Sequence, residues 1–339
     1  MPVKYWGKVI FGVAVTVALL WWALSGVDIS EMLASMQRAD PWLLLAAAFV
    51  MTAGSLIRAM RWKVLLAVVK ADTKFHSRFA AVSIHFMANN ILPLRVGEFA
   101  RAWVFSRLEP VSTSAAFGSL VVERFMDGVV LLTFLVIPVF SSGFPNEAAI
   151  FEGWGGLVLR AGVAVVLTVL TALVVMVAFP KRFVTVAEWA VPILPRAVGD
   201  RALDALKSFL RSLAVLRDPK LVMLGFVWTF AFWTWHSTAF WLGMKAFGID
   251  PGFVAALFTT AFVGFGVALP SAPGFLGTFQ VAAVFALSDI YGAGEASALA
   301  FGFGFFVVTW IPITSVGLWY VWKLGLSFAE IGTSQDRVS

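Results

Sequence analysis

Cysteine is absent from the 339 residues. That excludes disulfides, a thiolate metal site and a cysteine nucleophile. Histidine is nearly as scarce, and His76, His85 and His236 lie too far apart in the chain for metal-ligand spacing. Charge is thin as well: 13% of residues are charged, where a soluble domain carries about 25%. No Gly-x-x-x-x-Gly-Lys loop is present for nucleotide phosphates. No Gly-x-Ser-x-Gly elbow offers a serine nucleophile. No polar stretch is long enough to form a soluble nucleotide-sugar or aminoacyl-tRNA domain. The sequence therefore calls for no cofactor and no metal ion.

What remains is a chain that is 60% hydrophobic with a mean hydropathy of +0.91. Apolar runs at 9–25, 42–57, 115–140, 157–179, 221–243 and 299–321 approach or exceed the roughly 20 residues that a spanning helix needs. The expectation is an all-α polytopic membrane protein. Lys4 and Lys8 ahead of the first run also fit a cleaved leader. That run is longer than a leader's apolar core and no small-x-small site follows it, so the first helix is read as retained. The net charge of +6 does not imply nucleic acid, because the basic residues fall in the connections, where they set orientation.

Lys and Arg concentrate in 58–78 and 180–220, which places both segments and both termini in the cytoplasm under the positive-inside rule. The connections 26–41, 141–156 and 289–297 are acidic and read as external. Two further apolar stretches, 79–107 and 253–287, carry internal Pro and Gly. On this orientation the first enters from inside and returns, and the second enters from outside and returns. Each half, 1–140 and 157–323, then reads span, span, broken hairpin, span, with opposite starting sides. That is the pattern of an inverted-topology repeat within one integral membrane domain, with a site near the midplane where the breaks meet. Segment 180–220 is read as a cytoplasmic amphipathic connection, from the shared face of Leu203, Leu206, Leu210 and Leu213.

The polar residues in these apolar surroundings are the candidate site, because ionisable groups inside a membrane are costly to keep. Pro93 and Gly97 break the first hairpin; a helix restarting near Val96 would expose N–H groups and a positive dipole end. With Arg95 and Arg101 this suits a phosphate-bearing group. In the alternative, the two arginines reach cytoplasmic head groups and Glu98 pairs with one of them. Asn89 and Asn90 are placed to bond backbone groups freed at the break. Glu123 and Asp127 share a helix face, and Arg124 reaches Asp127 at i, i+3. Their expected partners are Arg58, Arg61, Arg95 and Arg101. Either they bind a head group and relay protons with Glu98, or they form a static ion-pair network. Arg95→Ala and Glu123→Ala are expected to remove activity and leave the fold intact. At the second tip Pro270, Pro273, Gly274 and Gly277 supply a hinge and backbone dipoles, and Gln280 a neutral bond to a head group.

The motifs Arg58-Ala59-Met60-Arg61-Trp62, Asn89 to Arg101, Glu123-Arg124-Phe125-Met126-Asp127 and Pro270-Ser271-Ala272-Pro273-Gly274-Phe275-Leu276-Gly277 resemble, in order, the lysylphosphatidylglycerol synthase transmembrane family of flippase-like proteins. Phe275 and Gln280 depart from it where the family often has Gly and Glu. The resemblance implies a membrane module that moves a lipid between leaflets of a prokaryotic inner membrane, without the fused synthase domain and without enzyme activity of its own. Its expected partner is a membrane lipid with an anionic or phosphate-linked head group, a separate lipid-modifying enzyme being the other candidate. A lipid-linked glycosyltransferase and a non-catalytic envelope scaffold are the alternatives.

Overall fold

A computed structural model describes residues 16–18, 20–21, 24, 28–92, 95–140, 144–145, 153–191, 196–267 and 273–334. Among these there is no strand, so the chain is an all-α membrane protein. The helices are α1 (Ile29–Arg38), α2 (Pro41–Leu66), α3 (Phe75–Ile91), α4 (Gly97–Leu108), α5 (Thr113–Val139), α6 (Gly153–Ala178), α7 (Pro180–Ala190), α8 (Arg196–Ser212), α9 (Pro219–Ala246), α10 (Phe253–Gly266), α11 (Thr278–Val284, continued as a π turn Phe285–Ile290), α12 (Glu295–Lys323) and α13 (Phe328–Gly332). Most of the expected first span lies outside the described residues.

Local sequence sets the starts. Asp40 and Asp218 each cap a helix through the side chain, with Pro at the next position, where its missing N–H costs nothing. Asp28 caps α1 in the same way. That short helix lies within 26–41, which the sequence reads as a plain acidic connection. Three stretches are long and apolar enough to cross a membrane: Pro41–Leu66, Arg160–Ala178 and Glu295–Lys323, among the described residues. Helices α5 and α9 have 27 and 28 residues, enough length at about 1.5 Å per residue. Their apolar runs are interrupted, in α5 by Glu123, Arg124 and Asp127 and in α9 by Trp, Thr and His side chains.

One sequence expectation needs correction. By sequence, Arg58, Arg61 and Arg78 count among the charges of a cytoplasmic connection. Helix α2 instead continues to Leu66 and α3 starts at Phe75, so all three sit inside helices and are buried. Arg78 bonds the carbonyls of Ala59 and Thr73 and the Thr73 hydroxyl. The connection itself keeps Lys70 and Lys74. The 180–220 segment is also two helices, α7 and α8, followed by a 3-10 turn, Leu213–Arg217.

Each of the two interrupted apolar stretches forms a pair of helices among the described residues. The first is α3 and α4 around residues 92–96, and the second is α10 and α11 around 267–277. Helices α2 and α9 form the most extensive pair, and they run antiparallel. The Asp40 N–H donates to the Ala246 carbonyl at 2.9 Å, and Trp235 Nε1 donates to the Val50 carbonyl at 2.6 Å. At the other end Gly225 approaches Leu65. The remaining contacts are reciprocal. Helix α3 packs on α12 as α10 packs on α5, and α1 lies on α12 as α8 lies on α5.

Two apolar cores result. One gathers around α10 and α11, with Met51, Phe134, Phe240 and Phe301; the other around α3 and α4, with Trp62, Leu65, Met126 and Tyr320. Helices α2, α5, α9 and α12 thread both. Close approach depends on glycine at two contacts in particular. A Cβ on Gly317 would collide with Met87 Cβ across the α3–α12 contact. A Cβ on Gly97 would collide with the His85 carbonyl oxygen and lie 2.5 Å from Asn89 Oδ1. Gly97→Ala should therefore cost about 1–3 kcal/mol by overpacking and lower the melting temperature in detergent. Gly332→Ala meets nothing within 4 Å and should change stability by less than about 0.5 kcal/mol.

At the turn after α4, Glu109 ties two connections together. Its carboxylate accepts from Lys70 Nζ at 2.5 Å and from the Lys74 N–H at 3.1 Å. Burial pushes the Glu109 carboxyl up. The bonds from Lys70, Ser77 and Lys74 outweigh that and hold it below its ordinary value. A lowered folded-state pKa stabilises above the unfolded value and is lost as pH falls through the folded one. Glu109→Gln should lower the melting temperature at pH 7, and the gap between variant and wild type should close below about pH 4.

Candidate functional site

Arg58 and Arg61 lie one turn apart on α2 and face Glu123 and Asp127, one turn apart on α5. Arg101 of α4 closes the group from a third side. Glu123 Oε1 alone lies 3.2 Å from Arg58 Nε, 2.8 Å from an Arg61 nitrogen, 2.7 Å from Arg101 and 3.0 Å from Arg124. Its second oxygen accepts from Arg101 at 3.0 Å, completing a two-pronged pair. Asp127 takes Arg61 at 2.5 Å, Arg124 at 2.9 Å, Arg58 at 3.3 Å and Trp233 Nε1 of α9 at 2.9 Å. Arg61 also reaches Thr229 at 3.3 Å.

The guanidinium faces are covered by rings. Trp62 lies 4.0 Å from Arg101, and Phe232 lies 4.9 Å from Arg58 and 5.4 Å from Arg61, ring centre to guanidinium carbon. Such contacts stabilise desolvated cations. The side chains of Arg58, Arg61, Arg101, Glu123 and Asp127 are 0–5% exposed. Arg124 differs: it is 40% exposed and turns toward a cavity. Four arginines meet two carboxylates, a surplus of two positive charges. The N–H groups outnumber the carboxylate lone pairs as well, since each guanidinium offers about five donors and each carboxylate about four sites.

The expected partners Arg58, Arg61 and Arg101 are thus in place, and Arg95 is the exception. It sits at the first tip with φ 54° and lies over the Phe275 ring of the second tip at 4.9 Å. Phe275 has φ 63°, a conformation that favours glycine. Arg101 is committed to Glu123, so the pairing of Glu98 with Arg101 is not found; Glu98 instead has Asn89 Nδ2 at 3.5 Å.

Nor is the start of α4 open. Asn89 Oδ1 accepts the Gly97 N–H at 2.8 Å, so an internal amide occupies the first donor. The second tip mirrors this: Gln280 Oε1 accepts the Gly277 N–H at 2.8 Å, and its amide nitrogen donates to the Gly302 carbonyl at 3.1 Å. Gln280 is fully buried and spans these two groups, so it is a structural clamp rather than a head-group ligand. Asn90 bonds Thr314 of α12 at 2.8 Å, and Gly274, at φ 73°, approaches the Asn90 carbonyl. The two breaks therefore touch. Pro273 opens a short 3-10 turn, Pro273–Phe275. Pro93 and Pro270 lie outside the described residues.

A cavity of about 630 Å³ opens between the tips. Its lining combines the polar residues Arg58, His85, Asn89, Asn90, Arg95, Glu98, Arg124 and Asp127 with rings that include Trp233, His236, Phe240, Phe275, Phe279, Phe306 and Trp310. Arg61, Arg101 and Glu123 stand behind the polar residues. Sequence reasoning misses Trp233, Thr229 and Phe232. The only signal is polar Thr229 one turn before Trp233 in an apolar run, and its meaning depends on knowing that α9 faces α2.

The cluster also corrects one expectation. Glu123→Ala should not leave the fold intact, because it strands buried Arg101 and leaves Arg58 and Arg61 to share Asp127 with Arg124. It should cost about 3–5 kcal/mol and collapse the melting transition in detergent. Arg124→Ala, at the cavity edge, should leave that transition within a few degrees of wild type.

A family model for the lysylphosphatidylglycerol synthase TM region matches residues 9–317. Local similarity extends to UPF0104 membrane protein MJ1595 of Methanocaldococcus jannaschii, 26% identical over 115 residues, 33% of this chain and 34% of that one. UPF0104 membrane protein PH1989 of Pyrococcus horikoshii is 28% identical over 132 residues, 38% of each. Glycosyltransferase AglD of Haloferax volcanii is 29% identical over 119 residues, 35% of this chain and 19% of that protein. The aligned stretches thus span well under half of each relative. The family match covers nearly the whole chain and includes every described residue of the arginine–carboxylate cluster: the protein belongs to the lysylphosphatidylglycerol synthase transmembrane-region family.

Proposed function

We propose that this protein translocates a lipid with a phosphate-linked, anionic head group between membrane leaflets. The observation that carries the reading is the surplus of two positive charges in the arginine–carboxylate cluster at and behind one wall of the 630 Å³ cavity. A buried charge imbalance needs an anion, and arginine is suited to phosphate oxygens. Of the cavity-lining cations Arg58, Arg95 and Arg124, the more exposed Arg124 and the tip residue Arg95 would meet the phosphate first. Arg58, Arg61 and Arg101, held by Glu123 and Asp127, would supply the field behind them.

The reciprocal packing of the two halves supports treating residues 1–140 and 157–323 as inverted repeats. The antiparallel α2–α9 pair would lie on the pseudo-two-fold axis, and the site at the crossing of the breaks. Lys63 in the last turn of α2, Lys70 and Lys74 on the connection after it, and the basic residues of α7 and α8 support a cytoplasmic-membrane protein with both termini inside.

The similarity to part of a glycosyltransferase favours a second reading, transfer of a sugar to or from a lipid. The site chemistry weighs against it. A general base must be free to take a proton, and Glu123 and Asp127 are each held by several arginines. Glu98, the other carboxylate lining the cavity, faces the Asn89 amide, and it is the candidate for proton coupling.

Proteoliposomes carrying fluorescent anionic phospholipids test the proposal by exposure of the inner-leaflet label to an external quencher. Wild-type protein should equilibrate the leaflets faster than protein-free vesicles. Arg124→Ala and Arg95→Ala should each slow this by about tenfold or more, as expected for losing a charge-assisted contact. Lipids of several classes that move no faster than in empty vesicles would refute it.

A further inference from the structure

A second cavity, of about 530 Å³, lies where α6, α7, α8 and the 3-10 turn Leu213–Arg217 meet. It shares no lining residue with the first. Lys181 of α7, Lys207 and Arg211 of α8 and Arg217 of the turn line it, and no carboxylate does. Of these four cations only Lys207 makes an ion pair among the described residues, with Glu188 at 3.7 Å. Arg217 is fixed by its bond to the Val177 carbonyl near the end of α6, at 2.5 Å. A cleft lined by charge of one sign concentrates ions of the other. The rest of the lining is largely apolar, with Met176, Val177, Val184 and Leu210. Cations and hydrocarbon stand side by side, which matches a phospholipid at the junction of phosphate and acyl chain.

Helix α7 sets the depth of this cavity. Lys181, Val184, Thr185 and Glu188 share one helix face at i, i+3, i+4 and i+7. The first three line the cavity, and Glu188 holds Lys207. Elsewhere on the helix Val186 and Trp189 are 69% and 86% exposed. Apolar side chains turned outward on a charged helix, tryptophan above all, belong to the membrane interface. Only Phe179 separates α7 from the end of α6, a helix apolar and long enough to cross a membrane. The cavity therefore stands at the level where that span meets water.

We propose that the cavity between α6, α7 and α8 binds the head group of an anionic phospholipid from the leaflet on which α7 lies. Lys181, Arg211 and Arg217 hold the phosphate, and Val186 and Trp189 seat α7 among the surrounding lipids. This site is separate from the arginine–carboxylate cavity and requires no translocation.

Hydrogen–deuterium exchange of the purified full chain in detergent tests this, read on peptides from α7 and α8. The probes are phosphatidylglycerol and phosphatidylcholine with identical short acyl chains, and glycerol 3-phosphate. Phosphatidylglycerol should slow exchange in both helices at concentrations about tenfold or more below those of phosphatidylcholine. Lys181→Ala/Arg211→Ala should raise the phosphatidylglycerol concentration needed by about tenfold. Both side chains are exposed, so the melting transition should stay within a few degrees of wild type. Arg182→Ala/Lys220→Ala removes as much charge from exposed positions that do not line the cavity, and should change that concentration by no more than about twofold. Equal losses in the two double variants would reduce the effect to diffuse attraction by a basic segment and overturn the proposal. Phosphatidylcholine acting at the same concentration as phosphatidylglycerol would also overturn it. Equal protection by glycerol 3-phosphate would assign the cavity to a soluble anion instead. Arg124→Ala, at the first cavity, should leave the protection unchanged; its loss there would place the bound lipid in the first cavity and refute a second site.

Discussion

Glu123 is the point on which the interior depends. Its oxygens lie against guanidinium groups from α2, α4 and α5 itself, so three helices are registered to one another through one carboxylate. Ion pairs of this kind add little net stability compared with apolar packing, because both charges must be desolvated. Their effect lies in asymmetry. Every alternative packing of α2 against α5 would leave an arginine or a carboxylate unpaired in a low-dielectric interior, at far greater cost. The network thus selects one arrangement of the helices, and it does so while retaining more positive charge than it neutralises.

The cluster sits where the two apolar cores meet. On α2 the residues of one core end at Met51 and those of the other begin at Ala59; on α5 the changeover falls between Met126 and Val130. A polar layer at that level interrupts what would otherwise be one continuous apolar interior. Each hairpin is therefore seated in its own core. Between the two lie the arginines, the cavity and the rings of Phe232 and Trp62, which cover the buried guanidinium faces.

Much of this is legible in the sequence because charge in an apolar chain is conspicuous. The arginines and carboxylates announce themselves, and the i, i+3 and i, i+4 spacings give the Arg124–Asp127 contact and the shared face of Glu123 and Asp127. What misleads is counting basic residues as connections. Arg58, Arg61 and Arg78 look like loop charges in a hydropathy profile, but the carboxylates that hold Arg58 and Arg61 in a helix belong to α5, far along the chain. The capping roles of Asn89 and Gln280 are hidden for a related reason: an amide's partner is a particular backbone N–H, and only the path of the break specifies which one. Trp233 and Thr229 carry almost no local sign, since neither residue is unusual in an apolar helix.

The tips differ in kind from everything around them. Arg95 and Phe275 both hold left-handed backbone conformations, each costing about 1–3 kcal/mol, and they rest on one another. A cation–π contact returns about 0.5–2 kcal/mol, less than the two strained residues together cost. The conformation must then be imposed from outside the contact. On the first tip Asn89 and the steric demand at Gly97 fix the exit of the break; on the second, Gln280 fixes Gly277. Strain is thereby concentrated in the two residues that face each other across the cavity mouth, while the clamps that enforce it belong to separate hairpins in separate cores.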